Sequence, residues 1–184
     1  MSISMSISMS IYLYNLFVFR SQAQQPTHPS RTTINSACAP PALEKLRAMK
    51  HIVMIDLDNW RKILESDLTF SPSTFVWCFH GGTTSWNPPP SSVLLRHLQD
   101  MDCFHLHPKC GTSKDAADFA LCVQAGKLDV LLPKEIPFTV LSGDKGFHEL
   151  RHQLLLSKRE VHIVNPHHKT TDTVLSILNS IADR

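Results

Sequence analysis

The sequence predicts an α/β fold, a doubly wound five-stranded parallel sheet with strand order 3-2-1-4-5. Three observations predict it. Short apolar runs rich in Val, Ile and Phe recur along the second three-quarters of the chain. Segments with helical spacing separate them. Proline and glycine breakers, among them Gly81-Gly82, Pro108, Pro133, Pro137 and Pro166, mark the joints. Alternating strands and helices imply right-handed crossovers and a parallel sheet covered on both faces.

The elements follow in order. His51–Asp58 (HIVMIDLD) is the first strand, nearly continuous in apolar residues and therefore buried on both faces. Thr74–His80, Cys103–His107, Phe138–Ser142 and Val161–Val164 are the other four. Helices are predicted over Trp60–Ser66, Ser92–Gln99, Asp115–Leu128, Phe147–Leu156 and Thr171–Ile181. The domain occupies residues 44–184. Residues 1–43 read as a low-complexity leader, with a Met-Ser-Ile-Ser repeat, followed by a Gln-, Pro-, Ser- and Thr-rich disordered linker. The apolar run Ile11–Phe19 has no basic residues before it and is too short to span a bilayer. No membrane partner is expected, and a secretory signal in residues 1–20 is the alternative to a plain leader.

With 42% hydrophobic and 18% charged residues the composition is that of a globular protein, and a net charge of +2 neither requires nor forbids a nucleic-acid partner. The five cysteines form no dense pattern, which points to a reducing compartment and mostly buried thiols.

Ligands in doubly wound sheets bind outside the carboxyl ends of the strands, where the winding reverses. This sequence places acids there. Strand one ends in Asp56-Leu57-Asp58-Asn59, strand four in Ser142-Gly143-Asp144-Lys145-Gly146, and the helix after strand three opens with Asp115 and Asp118 on one face of its first turn. Clustered carboxylates repel one another unless a cation neutralises them, and hard oxygen ligands suit Mg²⁺ or Mn²⁺. Such an ion activates water and stabilises charge on a phosphodiester. Asn59 and Ser142 are placed to orient ligands, Gly143 and Gly146 to allow close backbone approach. Taken singly, each acid has a plainer role: Asp58 as a helix cap, Asp115 and Asp118 as first-turn acids, Asp144 as a turn residue.

Asp56-Leu57-Asp58-Asn59, Asp115-Ala116-Ala117-Asp118-Phe119-Ala120 and Leu141-Ser142-Gly143-Asp144-Lys145-Gly146-Phe147 together resemble the three motifs of the PIN/NYN nuclease superfamily. More narrowly, Ile55–Trp60, Phe75–Trp86, Leu106–Leu132, Ile136–Leu150 and Asn165–His168 are similar to the PIN-like domains that end the zinc-finger SUMO E3 ligases of vertebrates. The likeness covers residues 50–182. It implies divalent-metal hydrolysis of RNA, with Asp56, Asp118 and Asp144 as principal acids and Asp58 and Asp115 as accessory ones. It also implies a nuclear location and SUMO-pathway partners reached through upstream regions. No zinc-finger Cys-x-x-Cys pair with downstream histidines and no acid-flanked Val/Ile tetrad precedes residue 50, so SUMO transfer by this chain alone is not expected. A silent PIN-like binding module for protein or nucleic acid is the alternative to a nuclease.

Four further features have two readings each. Cys103, His105 and His107 alternate and so share one face of strand three, with Cys110 just beyond, which suits zinc by ligand type but a packed strand by spacing. Lys109, Lys114, Lys145 and Arg151 form either a basic collar around the acids or scattered surface charge. Trp86 reads as a loop anchor, with base stacking as the alternative, and His167-His168 as solvated loop histidines near the acid rim.

Overall fold

The computed structural model describes residues 40–65, 69–82 and 91–184, so the leader, Cys38 and Trp86 lie outside the described residues. Helix α1 (Leu43–Ala48) precedes strand β1 (His51–Asp56), and a 3-10 turn (Lys62–Glu65) leads toward β2 (Thr74–Phe79). Then come α2 (Val93–Asp100), β3 (Phe104–Leu106), α3 (Ala116–Leu131), β4 (Phe138–Leu141), α4 (Phe147–Leu156), β5 (Val161–Val164) and α5 (Thr171–Ala182). The strands form one parallel sheet in the order β3-β2-β1-β4-β5.

The period-two alternation of a strand decides which helices cover which face. In β1, Ile52 and Met54 join Phe75, Trp77, Leu121, Leu128, Phe138 and Phe147, a core roofed by α3 and α4. Val53 and Ile55 join Val76, Cys78, Leu94, Leu98, Val174 and Leu178 under α2 and α5. All six residues of β1 are buried, which is why this segment reads as an unbroken apolar run. Among the described residues no helix is long and apolar enough to cross a membrane.

Two expectations need correction. The helix expected over Trp60–Ser66 is only a 3-10 turn where it is described. The Asp56 carboxylate binds the backbone N–H groups of Asp58 and Asn59 at 3.1 and 3.2 Å, holding the chain in a turn that then buries Trp60 and Ile63. On strand three, Cys103 does not share the face of His105. It lies in the α2/α5 core, its thiol near the carbonyls of Pro72 and Met101, whereas His105 meets Trp77 edge-on at 4.9 Å from the other side. The residue before Cys103, Asp102, has φ 52°, and this left-handed turn breaks the alternation.

One buried group was not anticipated. Arg159 is fully buried, and its guanidinium donates to Asp129 Oδ1 (3.0 Å) and to the carbonyls of Asp129, Leu132, Pro133 and Ile136. It also lies 4.3 Å over the Phe138 ring. The open carbonyls at the end of α3 are thereby satisfied by a side chain from beyond β4. Helix α3 runs three residues past its expected end at Leu128 because this partner supports its last turn.

Candidate acidic site at the sheet edge

Asp56 is the last residue of β1 and is buried, 2% exposed. Because β4 lies directly beside β1, Ser142 follows the same rim, and its hydroxyl donates to Asp56 Oδ2 at 2.9 Å. Asp56 Oδ1 accepts the two backbone N–H groups of the turn. Burial pushes the Asp56 pKa up; the hydrogen bonds from Ser142 and the backbone work against that, and Asp58 adds to it.

Ser142 Oγ also accepts the N–H of Asp144 at 3.1 Å. One hydroxyl therefore fixes the distance between the β1 and β4 acids. Asp144 is exposed, with Oδ1 accepting from the Gly146 N–H at 2.7 Å. Gly146 itself has φ −58°, so its conformational freedom is not used there.

Asp58 neither caps a helix nor stands free. Its Oδ2 accepts from the Gly81 N–H at 2.8 Å and its Oδ1 lies 3.7 Å from Arg61, tying the exit of β1 to the exit of β2. Gly81 is required at that point. A Cβ there would stand 3.0 Å from Ala116 Cβ and 3.3 Å from the Ala117 nitrogen, so its absence lets the start of α3 seat against the rim. Asp115 sits at the N-cap of α3 without a side-chain cap bond, exposed. Asp118, half-buried in the first turn, has its pKa raised to about 6, by burial first and then by Asp56, Asp144, Asp115 and Asp58. The acids from all three segments thus feel one another. Among the described residues, however, no three His, Cys, Asp or Glu side chains are grouped closely enough to hold a metal directly between them.

Asn59 has a larger part than the sequence suggested. Its Oδ1 accepts from the Gly143 N–H and from His167 Nε2, both at 2.8 Å, so the loops after β1, β4 and β5 are joined at one oxygen. His167 is therefore not merely a solvated loop histidine. The signal was a polar residue at a third strand end, facing a rim already crowded with side chains. Gly143 closes this contact, because a Cβ would lie 2.6 Å from His167 Nε2 and 3.0 Å from Asn59 Oδ1. Gly143→Ala is expected to displace the exposed His167 ring and to destabilise the fold by only about 1 kcal/mol. Loss of the His167–Asn59 bond, read as a shift of the His167 ring signals in NMR spectra, checks it; unchanged signals count against the packing described.

Of the expected basic collar, Lys109, Lys114 and Lys145 are exposed in loops or at a helix start beside the rim. Arg151 is elsewhere: its Nε donates to the carbonyl of Val161 at 3.0 Å, at the opening end of β5. Lys145, placed beside Asp144 by the sequence, remains a surface cation.

The comparisons with known proteins agree with this architecture. The family described as "PIN like domain" matches residues 48–164. The chain is 49% identical over 146 residues to the protein named E3 SUMO-protein ligase ZNF451 in Homo sapiens and equally to that of Mus musculus. Each alignment covers 78% of this chain, and the chain spans only 14% of the relatives' length. No solved structure matches with significance. With the sheet order, the seating of α3 on the rim and the family match over residues 48–164, the chain belongs to the PIN-like domain family.

Proposed function

We propose that this chain is a nuclease-type domain that hydrolyses phosphodiester bonds in RNA, with Asp56, Asp118 and Asp144 holding Mg²⁺ or Mn²⁺ and Asp58 and Asp115 assisting through water. The observation that carries it is the arrival of five carboxylates from three segments at one rim, where Asp56, Asp144, Asp115 and Asp58 add to the effect of burial in raising the Asp118 pKa to about 6. Acids gathered in this way repel one another, and a divalent ion relieves that cost. The donor set suits a hydrated ion. Mg²⁺ keeps several waters and needs one or two carboxylates, so a direct cage of three ligands is not required. Asp56 Oδ1 already has two donors, while Oδ2, with one from Ser142, retains a lone pair for water or an ion. When bound, the ion supplies a nucleophilic water and charge stabilisation at the phosphate. The chain's own part is to hold that site: Ser142 spaces Asp56 from Asp144, and Asn59 fixes the three surrounding loops.

The test is cleavage of single-stranded RNA in Mn²⁺. Asp144→Asn is expected to lower the rate by at least about a hundredfold, since loss of a group that only orients a metal's ligands already costs up to about that. Equal rates, or no cleavage by either chain, sink the proposal.

A second reading is favoured by the absence of a direct three-ligand group among the described residues: a PIN-like binding module that retains the fold without cleaving. It predicts binding to protein or nucleic acid that needs no metal and is unchanged in Asp56→Asn. The relatives' printed name, E3 SUMO-protein ligase, supports a nuclear, SUMO-pathway setting for this chain. SUMO transfer is not assigned to it.

A further inference from the structure

Strand β5 ends the sheet, and among the described residues no strand pairs with its outer edge. The Phe138 N–H donates to the Glu160 carbonyl and the Ser142 N–H to the Val164 carbonyl, so the even-numbered residues of this segment turn their backbone to β4. Val161 and Ile163 therefore turn theirs outward. Arg151 agrees with that direction, its Nε donating to the Val161 carbonyl at 3.0 Å. It guards only this first carbonyl, and the N–H and C=O of Ile163 have no partner among the described residues. The open edge lies along a groove of about 320 Å³ with two unlike walls. On one side stand His148 and Arg151, three apart on an exposed face of α4. On the other stand Ile177 and Ile181, four apart on α5. No carboxylate is among the described residues that line it, and Glu160, at the opening end of the strand, lies 3.1 Å from His162 Nε2.

We infer that this groove binds an extended segment of a partner protein, in which acidic and branched apolar residues alternate, as a further strand beside β5. The inference is independent of the nuclease reading, since none of the five rim acids lines the groove. The added strand takes the free N–H and C=O of Ile163 as the start of its ladder. Its side chains then alternate between the two faces of the sheet. Val161 and Ile163 pack with the α3/α4 core and Val164 with the α2/α5 core, so the two walls of the groove belong to opposite faces. Every second side chain of the guest meets His148 and Arg151, and those between meet Ile177 and Ile181. The fold engages only Nε of Arg151, which leaves both Nη groups to a carboxylate. The isoleucines take Val or Ile and remove apolar surface from water on both partners. A nucleic-acid strand fits poorly, because the groove has one guanidinium and its opposite wall is aliphatic, with no ring for a base to stack on.

The test is titration of the full chain into a labelled octapeptide alternating Val and Glu, followed by amide hydrogen exchange of the complex. Saturable binding is expected, and the Ile163 amide should exchange at least about tenfold more slowly in the complex than in the free chain. The matching Val-Lys peptide, and a peptide with the same residues in separate Val and Glu blocks, should bind at least about tenfold more weakly, the loss of one charge-assisted hydrogen bond. Arg151→Glu should weaken binding by a similar factor. His148→Glu probes the same wall without touching the bond from Arg151 to Val161, and should weaken binding in the same direction. No saturation by about 1 mM peptide, equal binding of the Val-Lys peptide, or unchanged affinity in both variants overturns the inference. So does a complex whose Ile163 amide exchanges as fast as in the free chain. Protection of Ile163 that rises with protein concentration in the absence of peptide assigns the edge to a second copy, and protection by single-stranded RNA assigns it to nucleic acid; either result also overturns the inference.

Discussion

Arg159→Ala is expected to be the most damaging single change outside the acidic rim, destabilising the fold by about 3–5 kcal/mol, the range for removing one partner of a buried ion pair. The guanidinium is fully buried and satisfies four carbonyls as well as Asp129 Oδ1. Truncation leaves those carbonyls dry and unpaired, removes the cation over Phe138, and leaves Asp129 with Lys134 and Ser157. At about 2–4 °C per kcal/mol for a domain of this size, the melting temperature should fall by about 10 °C. Arg159→Lys should recover little, because an ammonium lacks the planar fork that spans these acceptors. Thermal denaturation of the three chains decides; a drop under about 2 °C in the alanine variant means that the carbonyls are satisfied in some other way.

The same cluster sets an acid limit. Burial alone would raise the Asp129 pKa, but the hydrogen bonds from Lys134, Ser157 and Arg159 outweigh it and hold the carboxyl below its ordinary value. A depressed folded pKa contributes stability that is present above the unfolded value of about 3.9 and lost as pH falls through the folded one. The gap between wild type and Arg159→Ala should therefore narrow in strong acid.

Asp118→Asn is expected to have two opposite effects. In Mn²⁺ it should lower RNA cleavage by at least about a hundredfold, as for Asp144→Asn. In chelating buffer it should stabilise the fold. The folded-state pKa of about 6 lies above the model 3.8, so ionising Asp118 costs more in the folded chain than in the unfolded one. That penalty grows as pH rises from about 4 to about 6 and is complete above. Asparagine removes it. After discounting for solvent at a half-exposed site, the gain above pH 6 should be about 1 kcal/mol, or about 3 °C, and should vanish near pH 4. Adding Mg²⁺ should reverse the order, because an ion at one hundred times its dissociation constant stabilises the wild-type fold by about 2.7 kcal/mol. Melting curves at several pH values, with and without Mg²⁺, check both halves. A variant less stable than wild type at pH 7.5 in chelator refutes the raised pKa of Asp118 in the folded chain.

The sheet was legible because its evidence is local. His51–Asp56 is apolar throughout and needs cover on both faces, and Pro137 and Pro166 bracket the last two strands with joints no helix crosses. Once β1 and β4 are neighbours, the nearness of Asp56 to the Ser142–Asp144 segment follows. What was hidden depends on long-range partners that no spacing encodes. Arg159 reads as an ordinary cation in a Lys-Arg-Glu run, and only the folded chain shows that it closes a helix some thirty residues earlier. The failure of the Trp60–Ser66 helix has the same source: the Asp56 carboxylate competes for the backbone that would begin it. Asn59 and His167, far apart in the chain, gain their roles only through the loop contact at Gly143.

The place of β4 in the sheet also bears on how the chain is made. β1 pairs with β2 soon after both exist, but its other edge waits for Phe138–Leu141, and Asp56 waits for the Ser142 hydroxyl. A chain whose synthesis halts before Phe138 already carries Asp56, Asp58, Asp115 and Asp118, yet it has no finished rim and leaves one whole edge of its central strand bare. Such an edge is a template for pairing with other chains. Prematurely ended products should therefore be inert at the rim and prone to aggregate, and the rim is complete only once the chain has been made through Asp144.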